Sequence, residues 1–148
     1  HIPRNRMINY LENLPGPNHK YIADLGCGFA EIHEHFCNNP RFTFYNFDHV
    51  SSKEIVTKKD IRNTELDSYS VDIAILCLAM WGNNCVEYIQ EAHRILDING
   101  ILLVSEPYKR WYDVETQENR LVKLLEKNGF KVKNIDEQKF MFIQAVKT

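Results

Sequence analysis

Apolar positions along the chain fall into two rhythms, one at helical spacing and one in short dense runs, and their alternation predicts the fold. Met7, Ile8, Leu11 and Leu14 recur at helical spacing over residues 5–14, and "PGPN" then breaks the pattern. "KYIADL" is a short apolar run ending at a pair of glycines, and "AEIHEHF" carries the next helix. "RFTFYNFD", dense in aromatic and β-branched residues, reads as a second strand ending at Asp48, and "EIVTKKD" as a weaker third ending at Asp60. "SVDIAILCL" shows no alternation, the mark of a central parallel strand covered on both faces. "NCVEYIQEAHRIL" gathers Val86, Ile89, Ala92, His93 and Leu96 on one helical face, and "DING" closes it with Gly100 in the C-cap role. "ILLVSE" is the fifth strand, and "VETQENRLVKLLEKNGF" an amphipathic helix ending at Gly129. "KVKNID" and "KFMFIQAVK" leave no room for a helix between them, so they pair as an antiparallel hairpin at the sheet edge. The expected architecture is α/β and Rossmann-like: seven strands, mostly parallel, the last one antiparallel.

Length and composition narrow the setting. A chain of 148 residues, 44% hydrophobic, is read as one domain spanning 1–148 with a real core. His1 stands where an initiator Met would be, which predicts that an N-terminal extension is missing. A net charge of −2 and a pI near 6.3 exclude a uniformly basic, nucleic-acid-gripping surface, so any RNA contact rests on local patches. No apolar run reaches the ~18 residues of a membrane span. Cys27, Cys37, Cys77 and Cys85 form no C-x-x-C pair, which disfavours a disulfide framework or zinc site and fits a reducing intracellular compartment. His33 and His35, two apart on a helix, point to different faces and make no metal pair. His93 is read as a core histidine, and Arg4, Arg6, Lys131 and Lys133 as solvated charges.

The chemistry is expected at the carboxyl ends of the strands, where ligands of such sheets sit. In "YIADLGCGFAEI" a dinucleotide fingerprint would ask for a third glycine and an uncluttered turn, but Gly26 and Gly28 are followed by Phe29, Ala30 and Glu31. Asp24 before the turn and Glu31 after it would repel a pyrophosphate. They suit a ligand carrying an ammonium and a sulfonium, namely S-adenosylmethionine. Asp48 is placed to accept from ribose hydroxyls, Asp60 from the adenine amine with Ile61 covering the ring, and Cys77 to touch the ligand through its backbone.

"ADLGCG", "FDHVS", "DI" at 60 and 61, "SVDIAILCLAMWGNNCVEYIQEAHRIL", "NGILLVSE", "RW", "NGFKV" and "FMFIQAVKT" together resemble the nucleomethylin family, also called ribosomal RNA-processing protein eight, over about residues 20–148. The resemblance implies a class I S-adenosylmethionine-dependent methyltransferase acting on ring nitrogen 1 of an adenosine in large-subunit rRNA, in the nucleolus. By position it carries over cofactor contacts at Gly26, Asp48, Asp60, Ile61 and Cys77, while Asp24 and Gly28 follow from the general methyltransferase motif. The family's upstream stretch, with a cofactor-contacting histidine and a W-P segment, is represented only by "HIPRNRMI". Its "KPGG" is here "DING", and its Leu-Met-Gly after the fourth strand is Met80, Trp81, Gly82, a change at the target-base pocket.

Neutral adenine already owns a lone pair at the acceptor nitrogen, so alignment for in-line displacement supplies most of the acceleration and no general base is required. The methylated base becomes cationic, and Glu106 at the end of the fifth strand is the candidate to stabilise it. "EPYKRWYD" offers Lys109, Arg110 and Trp111 to stack bases and meet phosphates. The expected partners are ribosomal RNA or a pre-ribosome, with the protein a monomer using neither metal nor membrane. The alternatives are a small-molecule methyltransferase and a non-catalytic cofactor-binding scaffold in ribosome assembly or chromatin.

Overall fold

The computed structural model describes residues 2–148. Helix α1 (Ile2–Glu12) turns Met7 and Leu11 inward, and Leu14 lies half-buried just past its end. Strand β1 (Lys20–Leu25) follows, then the short helix α2 (Glu31–His35), β2 (Phe42–Asp48) and β3 (Val56–Lys58). The third strand is thus three residues long, and Asp60 stands beyond its end. Central strand β4 (Val71–Cys77) leads through a loop to α3 (Cys85–Ile95) and β5 (Leu96–Pro107). After the single turn α4 (Tyr108–Trp111) come β6 (Tyr112–Asp113), β7 (Glu118–Asn119), α5 (Arg120–Lys127), β8 (Phe130–Glu137) and β9 (Phe140–Lys147).

Seven strands form one sheet in the order β3-β2-β1-β4-β5-β9-β8. The pairs from β3 through β5 are parallel, and β9 runs antiparallel to both β5 and β8. The order reverses between β1 and β4, which places a crevice at their carboxyl ends. β4 explains its own composition: Ile73, Ile75 and Cys77 pack with Met7, Leu11, Ile32 and Phe36 on one face, while Ala74 and Leu76 pack with Ile89, Ala92, Leu121 and Leu125 on the other. A strand covered on both faces needs apolar residues at every position. Edge strand β8 is mostly exposed, and Lys131 and Lys133 point to solvent there, which discourages pairing with another chain.

Two local readings of the sequence are corrected. Gly100 does not cap α3; the chain passes straight from Ile95 into extended Leu96, and the left-handed residue of the following bulge is Asn99 (φ 64). Gly100 is required by space, since a Cβ there would lie 2.7 Å from the Asp97 carbonyl oxygen. The segment from Val114 is not helical until Arg120. Residues 112–119 instead form the β6–β7 hairpin, with Gln117 left-handed, and Asn119 caps α5 by accepting from the Leu121 and Val122 amides.

Candidate functional site

The site is built on the turn between β1 and α2. Gly26 (φ 83) and Gly28 (φ 58) adopt the left-handed conformation that side chains resist, and the amides of Gly26 and Cys27 both donate to the Phe47 carbonyl at 2.8 and 2.9 Å. The turn is thereby tied to the end of β2. A Cβ on Gly26 would stand 2.8 Å from that of Ala79, so the glycine also lets the loop after β4 come close. The position of the missing third glycine is held by Glu31, the first residue of α2; Ala30 just before it is buried and itself left-handed (φ 57, ψ 41), a conformation that costs an L-residue about 1–2 kcal/mol.

The three carboxylates the sequence points to are in different states. Asp24 lies beneath the turn, 1% exposed, with its Oδ2 lacking any hydrogen-bond partner. Burial pushes its pKa from 3.8 to about 7; the Arg4 guanidinium opposes the rise and Asp48 adds to it. Asp48, half-buried, caps the turn: its Oδ2 accepts from the Gly28 amide at 2.8 Å and its Oδ1 from the His49 amide at 2.7 Å, and each oxygen keeps a lone pair toward the crevice. Asp60 is exposed and clasped by Arg62, whose Nε donates to both oxygens at 2.9 and 3.0 Å, and that bonding draws its pKa down to about 2.

Beside the turn opens a cleft of about 210 Å3 that brings together Gly26, Asp48 and Ile61. Its remaining walls are His49, Leu78, Ala79, Trp81 and Tyr88. Cys77 is buried and is not part of the cleft wall, which takes the Leu78 that follows it; desolvation raises the Cys77 thiol pKa to about 12. Asp24 and Gly28 lie next to this cleft rather than in its wall, and the Asp60 carboxylate turns to Arg62 instead.

Glu106 is fully buried outside the cleft wall, with Arg110 Nη1 at 3.1 Å and the Trp111 indole nitrogen at 3.3 Å from its Oε1. Burial raises its pKa; the Trp111 and Arg110 contacts pull the other way. Glu106 therefore reaches the cleft through Arg110. Trp111 is also buried and carries Arg110 at 5.2 Å and Arg120 at 5.7 Å from its ring centroid, so it does not offer a face to a base as the sequence reading expected. Trp81, by contrast, is exposed and stands in the cleft wall.

Sequence reasoning missed Arg4 and Trp81. Arg4 is not a solvated charge: its guanidinium lies against the turn, 3.0 Å from where a Gly28 Cβ would be, and it is felt by Asp24, Cys27 and Cys77. No signal in the sequence could have shown this, because it depends on how α1 docks. Trp81 was noted as a departure in "LAMWGN", and its place after a strand at the reversal point was the available cue. His33 and His35 have separate partners, Asn46 at 2.6 Å and Glu12 at 2.5 Å.

The arrangement fits S-adenosylmethionine better than a dinucleotide. A buried carboxylate with one oxygen lacking a hydrogen bond and a guanidinium near it at the turn complement the zwitterion of an amino acid, and a pyrophosphate would meet Asp24 and Asp48 together. A family model described as "Hypothetical methyltransferase" matches residues 1–148. A Schizosaccharomyces pombe protein named 25S rRNA (adenine(645)-N(1))-methyltransferase is 38% identical over 88% of this chain and 40% of its own length. The Arabidopsis thaliana ribosomal RNA-processing protein 8 is 40% identical over 74% of this chain and 36% of its own. The chain thus spans about two fifths of the length of these relatives. Among solved structures, an S-adenosylmethionine-dependent methyltransferase from Mesorhizobium loti superposes with a TM-score of 0.73 at 14% identity, covering 98% of each chain, a likeness of fold. With the whole chain matched and these relatives beside it, the protein belongs to this methyltransferase family, in the branch that includes ribosomal RNA-processing protein 8.

Proposed function

We propose that the chain is the catalytic domain of an S-adenosylmethionine-dependent methyltransferase that methylates ring nitrogen 1 of an adenosine in large-subunit rRNA, working as a monomer in the nucleolus. The observation that carries the cofactor is the buried Asp24 with its unpartnered oxygen under the glycine turn. The relative named 25S rRNA (adenine(645)-N(1))-methyltransferase supports the acceptor. When bound, the cofactor supplies an electrophilic methyl on a sulfonium.

The protein's part is placement. Asp48 accepts from the ribose hydroxyls with the lone pairs its backbone contacts leave, and Ile61, 1% exposed, covers the adenine. Asp60, with Arg62 attached, marks the amine end of that base. Asp24, in its ionised form, and Arg4 receive the ammonium and carboxylate of the amino-acid tail. The cleft then presents the methyl at the carboxyl end of β4, where Leu78 and Trp81 stand. No side chain needs to remove a proton from the acceptor nitrogen, so alignment carries the acceleration. Glu106 acts by holding Arg110 against Trp81, and Lys109 and Arg110 meet the RNA phosphates.

The test is calorimetric titration with S-adenosylmethionine, S-adenosylhomocysteine and NAD on the wild type and on Asp48→Ala. It is followed by mass-spectrometric assay of 1-methyladenosine in large-subunit rRNA. Binding of the first two but not NAD, lost in Asp48→Ala, together with methylated adenosine, is expected. Tight cofactor binding without any methyl transfer to RNA would leave the non-catalytic scaffold as the reading, and transfer only to small acceptors the small-molecule enzyme.

A further inference from the structure

Trp81 is an aromatic side chain fixed in solvent. It is 60% exposed, yet its indole nitrogen donates to the Leu78 carbonyl at 2.7 Å, closing its own loop. That loop is held at both ends by left-handed residues, Leu78 (φ 54) and Gly82 (φ 77). The Arg110 guanidinium sits 4.9 Å from the ring centroid, and Arg110 is itself anchored on the fully buried Glu106. The ring also forms part of the cleft wall that contains Asp48 and Ile61. Its hydrogen-bonding capacity is thus consumed within the loop, and what it still offers is a restrained π face at the wall of the cleft. A flexible surface tryptophan would need none of these restraints, and a core tryptophan would be covered.

We propose that the uncovered part of Trp81 is the platform on which the acceptor stacks, an unpaired purine base of single-stranded RNA, with Glu106 and Arg110 as the brace behind it. The proposal rests on the RNA-methylating reading above and adds to it the residue that selects a flat base and fixes its plane. Base–aromatic stacking tolerates any base face, so the platform orients the acceptor while pocket shape chooses it. Arg110 stacked on the ring immobilises the indole before the base arrives, which lowers the ordering cost of binding.

The experiment compares a short oligoadenylate with an oligomer of the same length whose central position is abasic. Phosphates are equal in the two, so the difference in affinity reads the base alone. Wild-type protein is expected to prefer the oligoadenylate about 10- to 100-fold. Trp81→Leu brings the two ligands to within a few-fold of each other, and Trp81→Phe restores most of the preference. In unmutated protein, N-bromosuccinimide oxidation of Trp81 is slowed by the oligoadenylate and not by the abasic oligomer. An undiminished preference in Trp81→Leu, or unprotected Trp81 in the wild type, overturns the platform. Absence of rRNA methylation by wild-type protein overturns the underlying function instead, and the stacking comparison is read separately from it.

Discussion

Asp24 makes stability and cofactor binding depend on pH in a way that can be worked out. The unfolded chain releases this proton near 3.8 and the folded chain near 7, a difference of about three pH units at about 1.36 kcal/mol each, or about 4 kcal/mol. Because the folded-state value is raised, the fold binds more protons than the unfolded chain between those values, and stability falls as pH rises. The full contribution is present below about pH 4 and is lost once the pH passes about 7. Asp24→Asn keeps the shape and removes the titration. The stability of Asp24→Asn relative to wild type, from urea denaturation at a series of pH values, should therefore climb by about 4 kcal/mol between pH 4 and pH 8. For a chain of this length that is a divergence of roughly 10 °C in melting temperature. Cofactor binding adds an ammonium to the Arg4 charge already beside Asp24 and so favours its ionised form; it should release close to one proton at pH 6 and almost none at pH 8.5, measurable by calorimetry in buffers of different ionisation enthalpy. Parallel pH profiles for the two proteins, with no proton released on binding, would refute the reasoning.

Arg4→Met should weaken S-adenosylmethionine binding by about tenfold or more, the scale of a charge-assisted contact, while leaving decarboxylated S-adenosylmethionine nearly unaffected; equal losses for both ligands would remove Arg4 from the carboxylate. Gly26→Ala forces a side chain to φ 83 and against Ala79, 2.8 Å away, so it should lower stability by about 2 kcal/mol or more and abolish cofactor binding, as read by denaturation and calorimetry. Cys27 and Cys77 are buried with thiol pKa values pushed up to about 12, whereas Cys37 is exposed. Timed alkylation at pH 7.5 with peptide mapping should label Cys37 first and the other two only on unfolding.

The sheet was legible because its strongest signals have a single physical cause. The unbroken apolar run of β4 follows from burial on two faces, and the glycine turn, Asp48 and Ile61 follow from their places at strand ends around the order reversal. What could not be read depends on packing between distant segments. Arg4 is one of several charges on a modest amphipathic helix until α1 docks against α2, β5 and β9. Gly100 looked like a helix cap because a glycine after a helix usually supplies a left-handed φ, but here Asn99 does so and the glycine relieves crowding against Asp97. The hairpin at 112–119 has strands of two residues each, too short for any periodicity to register. Trp111 and Trp81 were indistinguishable as surface aromatics by sequence, and only the Glu106 anchor, which draws Trp111 inward, separates their roles.

Strand β9 lies in the interior of the sheet, between β5 and β8, although it is made after both. A nascent chain that has emerged only through Glu137 can assemble β3-β2-β1-β4-β5 and with it the glycine turn, but β8 has no neighbour to pair with. Ile101 to Pro107 would meanwhile present an unsatisfied and largely apolar rim. The ligand crevice can thus be shaped before the sheet is sealed, and the last eight-residue strand works as the closing piece. Any ribosome-stalled or proteolysed form that lacks Phe140–Lys147 would carry a template for strand addition by other chains, which makes β5 the place where chaperones would be needed and where self-association would begin.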